Sequence, residues 1–405
     1  MKWTYDSVKG IPQKISFFFN KFRLYRYERK IITEFSEYIP PLTGIERKTP
    51  KKALLSYLVE PLLPPQGKRD TSTFSNAGIA QYIPRALNEL GYSVDIVGYN
   101  NERFTPHKKY DLFIGHGGIN FESIANKLNP TCAKIYFSAG TYWKESNRAE
   151  KERLAALQKR RDVTLPVDRY IEYDEEYANA NSDGIICLGN DHAKKTYNKF
   201  PHVINLNNAV YPDTYTRTNK KFENSCNNFL FFNGPGNVHK GLDLLLEAFT
   251  QTEQQHLYVR QNIEPAFFNV YKKELTGQPN IHLVPYLKTP SMEFFDMTDR
   301  CNFVISPTCA EGQPGSILEC MAHGLIPILS KEANIDTKNF GITFKENSID
   351  EIIQTVKAVS NKSPEWYKSM SDLTINEIQN YYHPEHFLEN MKKAINEIVK
   401  LTDNK

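Results

Sequence analysis

The 405-residue sequence has few cysteines, and those present form no recognisable pattern. The six cysteines are scattered along the chain without a Cys-x-x-Cys pair. Because structural zinc sites and disulfide frameworks depend on closely spaced or paired cysteines, the sequence predicts neither of them. Scattered thiols of this kind favour a reducing compartment.

Long apolar runs are lacking near the N-terminus. The longest one there, Ile15 to Phe19, is interrupted by Ser16 and is far shorter than the roughly 20 residues of a membrane-spanning helix. It also falls short of the apolar core of a secretory signal peptide. These features predict a cytoplasmic protein.

Two signatures of cofactor and metal chemistry are missing. No Gly-x-Gly-x-x-Gly follows a predicted strand, which argues against a dinucleotide-dependent oxidoreductase. No Asp-x-Asp occurs either, so nothing in the sequence requires a bridging Mg²⁺ or Mn²⁺ ion. We therefore expect chemistry without a cofactor and without a metal ion.

Positive charge is concentrated at the start of the chain. Residues 1–52 contain twelve Lys or Arg against five Asp or Glu, although the whole chain carries only +3. Aromatic residues are interleaved with these charges from Phe17 to Tyr27, and a second basic run extends from Arg148 to Arg161. Such segments fit peripheral contact with an anionic membrane, and a solvated helix face is the favoured alternative. No nucleic-acid recognition motif is present, so nucleic acid is not a predicted partner.

Predicted strands and helices alternate through most of the chain. The first half contains, in order, the strand Ala53–Val59, the helix Ile79–Leu90, the strands Val94–Val97 and Leu112–Ile114, the helix Phe121–Lys127 and the strand Ile135–Phe137. A second series runs from Phe229 to about Val356. This alternation predicts an α/β fold with doubly wound parallel sheets, whose ligands lie beyond the carboxyl ends of the strands.

The stretch from Ser306 to Ser330 carries the clearest signal of a binding site. The apolar residues before it predict a buried strand, and Gly312, Pro314 and Gly315 break that strand before a helix whose predicted cap is Ser316. The backbone N–H groups of the helix start form a predicted site for a phosphate or diphosphate; these are Gly315, Ser316, Ile317 and Leu318. The spacing Ser316-x-x-Glu319 equally fits a capping box, in which Glu319 only satisfies its own helix.

An upstream segment repeats the order strand, loop, helix. Phe229–Phe232 is a short apolar strand, Asn233–Asn237 is a turn-rich loop, and Lys240–Phe249 has helical periodicity. A lysine at a helix start can neutralise a diphosphate through charge-assisted hydrogen bonds. A solvated side chain is the alternative for Lys240, because most lysines are exposed.

The two glutamates of the Ser306–Ser330 stretch belong to a segment that resembles a known motif. Glu311-Gly312-Gln313-Pro314 is followed by Glu319-Cys320-Met321-Ala322-His323-Gly324-Leu325-Ile326-Pro327. This segment resembles the E-x7-E motif of the retaining GT-B glycosyltransferases of family 4. The resemblance implies that Glu311 contacts hydroxyls of a donor sugar and that Glu319 holds the nucleotide ribose. It also implies that Lys240 binds the donor phosphates and that Gly312, Gln313 and Pro314 contribute to the donor site.

The same resemblance implies two Rossmann-like domains that face each other across a cleft. It divides the chain into a basic aromatic extension at 1–52, an acceptor domain at 53–215, a nucleotide-sugar domain at 216–375 and a helix at 376–405 that returns to the first domain. The linker is expected near Tyr211 to Asn228, a polar segment that contains Pro212.

One departure from the family pattern affects the phosphate site. Pro235 stands where the family carries an arginine that binds the donor phosphates. The backbone amides of Gly234 and Gly236 are one expected substitute, because consecutive amides can form an anion nest. Arg260, at the end of a predicted strand, is the other, and a plain surface arginine is the alternative reading of that residue.

A second departure affects the acceptor side. The family carries a histidine in the segment that reads Tyr136-Phe137-Ser138-Ala139-Gly140-Thr141 here, and this chain has none. His116 follows a predicted strand and is the nearest residue that could line the cleft. A structural role within its glycine-rich loop is the alternative.

Three more residues are assigned by the resemblance. Gly78 keeps a glycine of the family's loop before its first helix, which approaches the donor phosphate. Tyr286 and Leu287 stand where the family holds the nucleotide base. Ordinary core packing is the alternative for Leu287.

The implied function is transfer of a sugar, with retention, from a nucleotide diphosphate sugar to a saccharide or lipid-linked acceptor. Surface polysaccharide or glycoconjugate synthesis is the expected setting. The groups assigned to the chemistry are Glu311, Lys240 and His116. Two alternatives share the fold: a nucleotide-sugar epimerase, which needs no acceptor, and a catalytically silent protein that binds a nucleotide sugar.

Overall fold

The computed structural model describes residues 51–63, 73–211 and 220–403, which form two β-sheets covered by helices. The strands are β1 (Lys51–Tyr57), β2 (Tyr92–Gly98), β3 (Leu112–Gly115), β4 (Ala133–Ser138), β5 (Gly184–Leu188), β6 (Val203–Leu206), β7 (Asn228–Phe231), β8 (His256–Arg260), β9 (Ile281–Val284), β10 (Phe303–Ser306), β11 (Ile326–Ser330) and β12 (Ile342–Phe344). The helices are α1 (Ser75–Glu89), α2 (Phe121–Ala125), α3 (Trp143–Arg161), α4 (Glu176–Asn181), α5 (Asp191–Lys195), α6 (Leu242–Phe249), α7 (Pro265–Val270), α8 (Lys272–Gly277), α9 (Met292–Arg300), α10 (Gly315–Ala322), α11 (Ile349–Ser360), α12 (Pro364–Tyr381) and α13 (Pro384–Asp403). Short 3-10 helices span Glu60–Leu62, Phe222–Ser225 and Lys331–Ala333.

Both sheets are parallel and six-stranded. The strand order is β2-β1-β3-β4-β5-β6 in the first sheet and β12-β11-β10-β7-β8-β9 in the second. In the second sheet the order reverses between β7 and β10, and in the first it reverses at β1 and β3. Loops leave such a point in opposite directions and open a crevice at the carboxyl ends of the strands. The predicted α/β fold with doubly wound parallel sheets is confirmed.

Apolar patterning explains why these segments form the core. Every residue of β5 and β10 is buried, as expected for parallel strands that are covered by helices on both faces. Helix α6 buries Leu242, Leu245, Leu246 and Phe249, a spacing that places all four side chains on the face towards the sheet. These leucines join Phe229 and Phe303 in the core of the second domain.

Element boundaries differ from the sequence predictions at the start of the first domain. Strand β1 begins at Lys51, because its exposed lysines still pair through the backbone with β2, so the predicted boundary between 52 and 53 cuts a strand. Helix α1 begins at Ser75, so Gly78 lies inside a helix and not in a loop before it. A Cβ at Gly78 would lie 2.7 Å from the ring of Phe74. This glycine therefore permits close packing.

Two predictions fall on residues outside the described ranges. The basic aromatic extension occupies 1–52, of which only 51 and 52 are described, and the expected linker includes residues 212–219. Within the described ranges, no helix combines the length and apolarity needed to cross a bilayer.

The last helix returns to the first domain, as predicted. Helix α13 buries Phe387, Leu388, Met391 and Ile395 in the same core cluster as residues of β1 to β4. Helix α12 instead packs on the second domain through Tyr367 and Ile378. The chain therefore crosses between the domains near Tyr382, whose carbonyl accepts a hydrogen bond from the N–H of Val210 at 2.8 Å.

Helix α3 connects the domains a second time. It follows β4 of the first sheet, yet Leu157 is fully buried in the core of the second domain. Both terminal nitrogens of the Arg153 guanidinium donate to the carbonyl of Pro307 at 3.1 Å. The helix therefore lies against the second domain along its C-terminal half.

The predictions for the basic run Arg148–Arg161 are wrong at its C-terminal end. Arg160 pairs with Asp243 at 2.5 Å and with Glu247 at 3.0 Å, and Arg161 pairs with Glu274 at 2.6 Å. These carboxylates lie on α6 and α8 of the second domain. The two arginines are therefore partners in a domain interface and do not form a solvated face.

We expect Arg160→Ala to lower the free energy of unfolding by about 2 kcal/mol or more, because it removes a counter-charge from the fully buried carboxylate of Asp243. Urea denaturation followed by circular dichroism measures this change. Arg148→Ala is the matched control on the same helix, since Arg148 is 58% exposed and pairs only with exposed glutamates. Its expected cost is below about 1 kcal/mol, and equal costs for the two variants would contradict the interface role.

Candidate active site

Two loops leave the second sheet at the point where its strand order reverses. Lys240 lies in the loop after β7 and Glu311 lies in the loop after β10. Their side chains form an ion pair and are only 7% and 10% exposed. The solvated alternative for Lys240 is therefore wrong. The fold brings together two of the three residues predicted to take part in the chemistry.

The ion pair is surrounded by further charges. His239 Nε2 lies 3.9 Å from Glu311 Oε1, and His239 Nδ1 lies 3.6 Å from Glu150 Oε2. Burial lowers the pKa of His239, but hydrogen bonds with Cys309 and Glu150 and the charge of Glu311 raise it to about 9. Burial likewise raises the pKa of Glu311, but Lys240, His239 and Arg169 hold it below its usual range. Glu311 is therefore a carboxylate at neutral pH.

The helix that carries Glu319 begins earlier than the sequence predicted. Helix α10 starts at Gly315, its N-cap is Pro314, and no side chain caps it. Ser316 is therefore not the cap, because Pro314 ends the preceding loop and glycine enters the helix directly. The capping box is wrong for the same reason: Ser316 already lies inside the helix.

Glu319 itself is a buried carboxylate without a partner. It is 8% exposed, and within the described ranges its side chain forms no hydrogen bond or ion pair. Burial raises the pKa of Glu319 to about 8. A carboxyl group in this state lacks the hydrogen-bond partners that buried polar groups normally have.

The start of α10 faces the start of α1 across the cleft. A Cβ at Gly315 would lie 4.0 Å from the Cα of Ser75. The N–H groups of Ile317 and Leu318 donate to the carbonyl of Pro314 at 3.0 and 3.2 Å, which removes them from the predicted anion site. In the described part of the chain the N–H groups of Gly315 and Ser316 have no acceptor. Of the four amides predicted to bind an anion, these two therefore remain available.

The predicted anion nest in the Gly-Pro-Gly loop is already occupied. The N–H of Gly236 donates to Glu264 Oε1 at 2.5 Å, and the N–H of Asn237 donates to Glu264 Oε2 at 3.3 Å. Gly234 is half-buried, with open space where a side chain would be. The amide of Gly236 is therefore not free to replace the missing arginine.

Arg260 is not a plain surface arginine. It lies at the end of β8, and its guanidinium stacks 4.1 Å from the ring centre of Tyr286 and 4.6 Å from that of Phe232. Tyr286 is 64% exposed and borders a cavity of about 780 Å³ on the second domain. Leu287 is buried in the core and also borders this cavity.

His116 reaches the cleft from the first domain. It follows β3, and its Nδ1–H donates to the carbonyl of Phe137 at 2.8 Å. Its ring packs edge-on against Tyr57 and Tyr99, and burial lowers the pKa of the imidazole. His116 also borders a cavity of about 240 Å³ that lies between the domains and includes Glu311. His116 therefore lies in the cleft and also makes packing contacts within its own domain.

The first domain lines this cavity with polar groups. They include Ser138, Thr141, Arg169 and Glu175. The hydroxyl of Tyr136 donates to Glu175 at 2.5 Å, and burial raises the pKa of Glu175 to about 7. Sequence reasoning missed Arg169 and Glu175, because both belong to the segment between α3 and α4, which carries no motif.

The domains touch directly beside the cavity. A Cβ at Gly312 would lie 1.7 Å from the carbonyl oxygen of Ala139, so only glycine permits this approach. Gln313 Oε1 accepts from the N–H of Asn208 at 2.7 Å, and Nε2 donates to the carbonyl of Asn334 at 2.8 Å. Both ends of the Gln313 amide are thus engaged by the protein, and no side-chain group of Gln313 is left for a donor.

Comparison with known proteins identifies the fold. No protein-family model and no curated protein matches the sequence. Solved structures that resemble the chain include sucrose-phosphate synthase from Thermosynechococcus elongatus, with 13% identity, a TM-score of 0.60, and coverage of 86% of this chain and 99% of that one. Anabaena HepE in complex with UDP and glucose has 10% identity and a TM-score of 0.53, over 86% of this chain and all of the other.

TarM is also similar, with 17% identity and a TM-score of 0.51 over 70% of this chain. The match spans only 54% of TarM. Together with the two parallel six-stranded sheets and the returning helix α13, these similarities show that the chain has the GT-B fold.

Within the described residues, no group of three or more His, Cys, Asp or Glu side chains is arranged to hold a metal ion. The positive charge near Glu311 comes from Lys240 and from His239 and Arg169. Among the described residues, these side chains can neutralise an anion that binds beside Glu311.

We expect Glu319→Gln to change how stability depends on pH. Between pH about 4.5 and about 8 the folded protein holds a proton on Glu319 that the unfolded chain has released, so the free energy of unfolding falls as pH rises through this range. The glutamine variant lacks this loss. Its stability relative to the wild type is expected to increase by more than about 1 kcal/mol between pH 5 and pH 8.5.

Urea denaturation at several pH values measures the difference. Glu346→Gln is the control, because Glu346 is exposed. A difference between Glu319→Gln and wild type that stays constant with pH would show that the Glu319 carboxylate is already ionised in the folded protein.

Proposed function

We propose that the protein is a retaining glycosyltransferase that uses a nucleotide diphosphate sugar. The observation that carries this proposal is the grouping of buried Lys240, Glu311 and the start of α10 beyond the carboxyl ends of β7 and β10. In open α/β sheets ligands bind at such a reversal of strand order. The free amides of Gly315 and Ser316 and the ammonium of Lys240 fit a diphosphate.

The residues divide the work as follows. Glu319 forms hydrogen bonds with the ribose hydroxyls, which provide the partners that its buried carboxyl group lacks. Lys240 and the α10 amides bind the diphosphate, and Glu311 orients hydroxyls of the sugar. The bond between the anomeric carbon and the diphosphate oxygen breaks, the acceptor hydroxyl attacks on the same face, and its proton passes to the leaving diphosphate. Preorganised positive charge stabilises the negative charge that develops on that leaving group.

The solved structures support a nucleotide sugar as donor. HepE was crystallised with UDP and glucose, and a G117R mutant of TarM from S. aureus was crystallised with fondaparinux, α-GlcNAc-glycerol and UDP. These ligands are properties of those proteins. For this chain, we propose that the donor carries a nucleoside diphosphate and that Lys240 and its neighbours supply the charge a metal ion would otherwise provide.

The cavity between the domains supports an acceptor rich in hydroxyl groups. Ser138, Thr141, Glu175 and His116 line it, and these groups suit a saccharide or the glycan of a lipid-linked acceptor. This observation favours transfer over epimerisation, which needs no acceptor. We propose that transfer to the acceptor takes place in the cytoplasm. We also propose that residues 1–52 make peripheral contact with a membrane.

The cavity between the domains is too small to hold an acceptor together with the donor sugar that Glu311 is proposed to orient. Its volume of about 240 Å³ is below the roughly 300–1,000 Å³ typical of pockets that enclose such ligands. We propose that the domains separate at the contact between Gly312 and Ala139 to admit the donor, and then close over it. Closure of this kind excludes water and completes a catalytic site.

We expect one member of a panel of UDP, GDP, ADP and TDP sugars to stabilise the protein and to release its nucleotide slowly. Lys240→Ala and Glu319→Ala are each expected to weaken donor binding by about 10- to 100-fold, since the first removes a charged hydrogen-bonding group and the second removes a buried one. Isothermal titration calorimetry and a coupled nucleotide-release assay measure the two effects. Lys357→Ala, an exposed lysine on α11, is the control.

Three results would change the proposal. Binding without release in the presence of saccharide acceptors would favour the catalytically silent alternative. Conversion of the free donor to an isomer would favour the epimerase. Absence of binding to every nucleotide sugar would overturn the proposed function. Adding EDTA to the same assay tests metal independence, because a metal-dependent reaction would stop.

A further inference from the structure

Arg169 crosses from the first domain to the loop in which the sequence lacks an arginine. Gly236 adopts a φ of +93°, and a Cβ there would lie 2.4 Å from Arg169 Cγ and 2.7 Å from Arg169 Cδ. The stem of Arg169 therefore lies directly on the backbone of the Gly-Pro-Gly loop. Glycine at 236 serves both the backbone conformation and this contact.

The backbone of Arg169 is held by a buried carboxylate. Glu150 Oε1 accepts from the N–H of Arg169 at 2.8 Å and from the N–H of Asp168 at 2.9 Å. Glu150 is 2% exposed, and its other oxygen faces His239 at 3.6 Å. The segment that carries Arg169 is thereby fixed beside the residue that precedes Lys240.

The side chain of Arg169, in contrast, is unengaged. It is exposed, and within the described ranges its guanidinium forms no hydrogen bond or ion pair. It borders the cavity between the domains together with Glu311 and His239. Its charge acts on both members of the buried pair: it lowers the pKa of Glu311 and that of Lys240. A cation in this position faces the site where a diphosphate is proposed to bind.

We propose that Arg169 binds the diphosphate of the donor from the opposite domain and so supplies the second positive charge that Pro235 cannot. This inference rests on the proposed function. A guanidinium presents a planar pair of N–H donors that matches two phosphate oxygens. Because Lys240 follows β7 and Arg169 belongs to the segment between α3 and α4, a diphosphate bound by both is held by two parts of the chain that are distant in the sequence.

The other expected substitutes are less suited to this role. Glu264 occupies the amide of Gly236, and the guanidinium of Arg260 stacks on Tyr286 and Phe232. Arg169 combines a free guanidinium with a fixed backbone. A purely structural role, as a counter-charge for Glu311, is the competing explanation that an experiment must separate.

The test compares the affinities of wild type and Arg169→Ala for nucleoside diphosphates, for the corresponding monophosphates and for inorganic pyrophosphate, by isothermal titration calorimetry. We expect Arg169→Ala to weaken binding of the preferred diphosphate and of pyrophosphate by about 10-fold or more, and to leave monophosphate affinity within about 2-fold. Arg169→Lys keeps the charge but loses the planar fork, so an intermediate loss is expected.

A second variant tests the position of the charge. Pro235 is exposed, so an arginine can be placed there without entering the core. Arg169→Ala combined with Pro235→Arg is expected to recover at least half of the lost diphosphate affinity on a logarithmic scale. Arg148→Ala, which removes an exposed arginine elsewhere, is the control for overall charge, and melting temperatures identify any loss of folding.

The outcomes separate this inference from the proposed function. If wild type binds diphosphates and Arg169→Ala binds them equally well, only the role of Arg169 is overturned. Equal losses for monophosphate and diphosphate would indicate a structural counter-charge and would also overturn it. If wild type binds neither a nucleoside diphosphate nor pyrophosphate, both proposals are overturned.

Discussion

The buried ion pair between Lys240 and Glu311 is the interaction on which the site depends. Removing both charges from water is costly, and their mutual attraction offsets that cost only when the geometry is held firmly. Here the two side chains leave adjacent strands, β7 and β10, at the point where the strand order reverses, so the sheet itself sets their separation. A site built in this way holds its charges in place before any ligand arrives.

Contacts between the two domains also hold the site rigid. Arg160 and Arg161 pair with acids of the second domain, Gln313 is hydrogen-bonded on both sides of the cleft, and Gly312 permits backbone contact at Ala139. The cavity that remains is small and polar. The chemistry proposed for it therefore requires a domain movement that breaks the contact at Gly312 while leaving part of the interface formed. Helix α3 is well placed to limit that movement, because its C-terminal half belongs to the core of the second domain.

The fold is shared with proteins of very low sequence identity, such as the sucrose-phosphate synthase at 13%. Parallel sheets need apolar strands and amphipathic helices in the right order, and many sequences satisfy that pattern. Individual residues of a binding site tolerate substitution less well than the fold does. Pro235 and the segment Tyr136–Thr141 depart from the motif that the chain otherwise resembles. Arg169, Glu175 and His116 border the cavity beside Tyr136 and Ser138.

The sequence by itself determined the alternation of strands and helices and the two-domain α/β fold, because periodicity is a local property. It also placed Lys240 beside a helix, although it could not show that the side chain is buried. The sequence predictions were wrong about the helix start at Ser316, the free amide at Gly236 and the loop position of Gly78. At Gly236 the reason is a neighbour distant in the chain, since Glu264 accepts its N–H. At Ser316 and Gly78 the reason is local, since each residue already lies inside its helix. Only the tertiary structure decided that Glu150 and Arg169 meet the second domain and that Glu175 borders the cavity between the domains, because no local pattern encodes how two domains pack against each other.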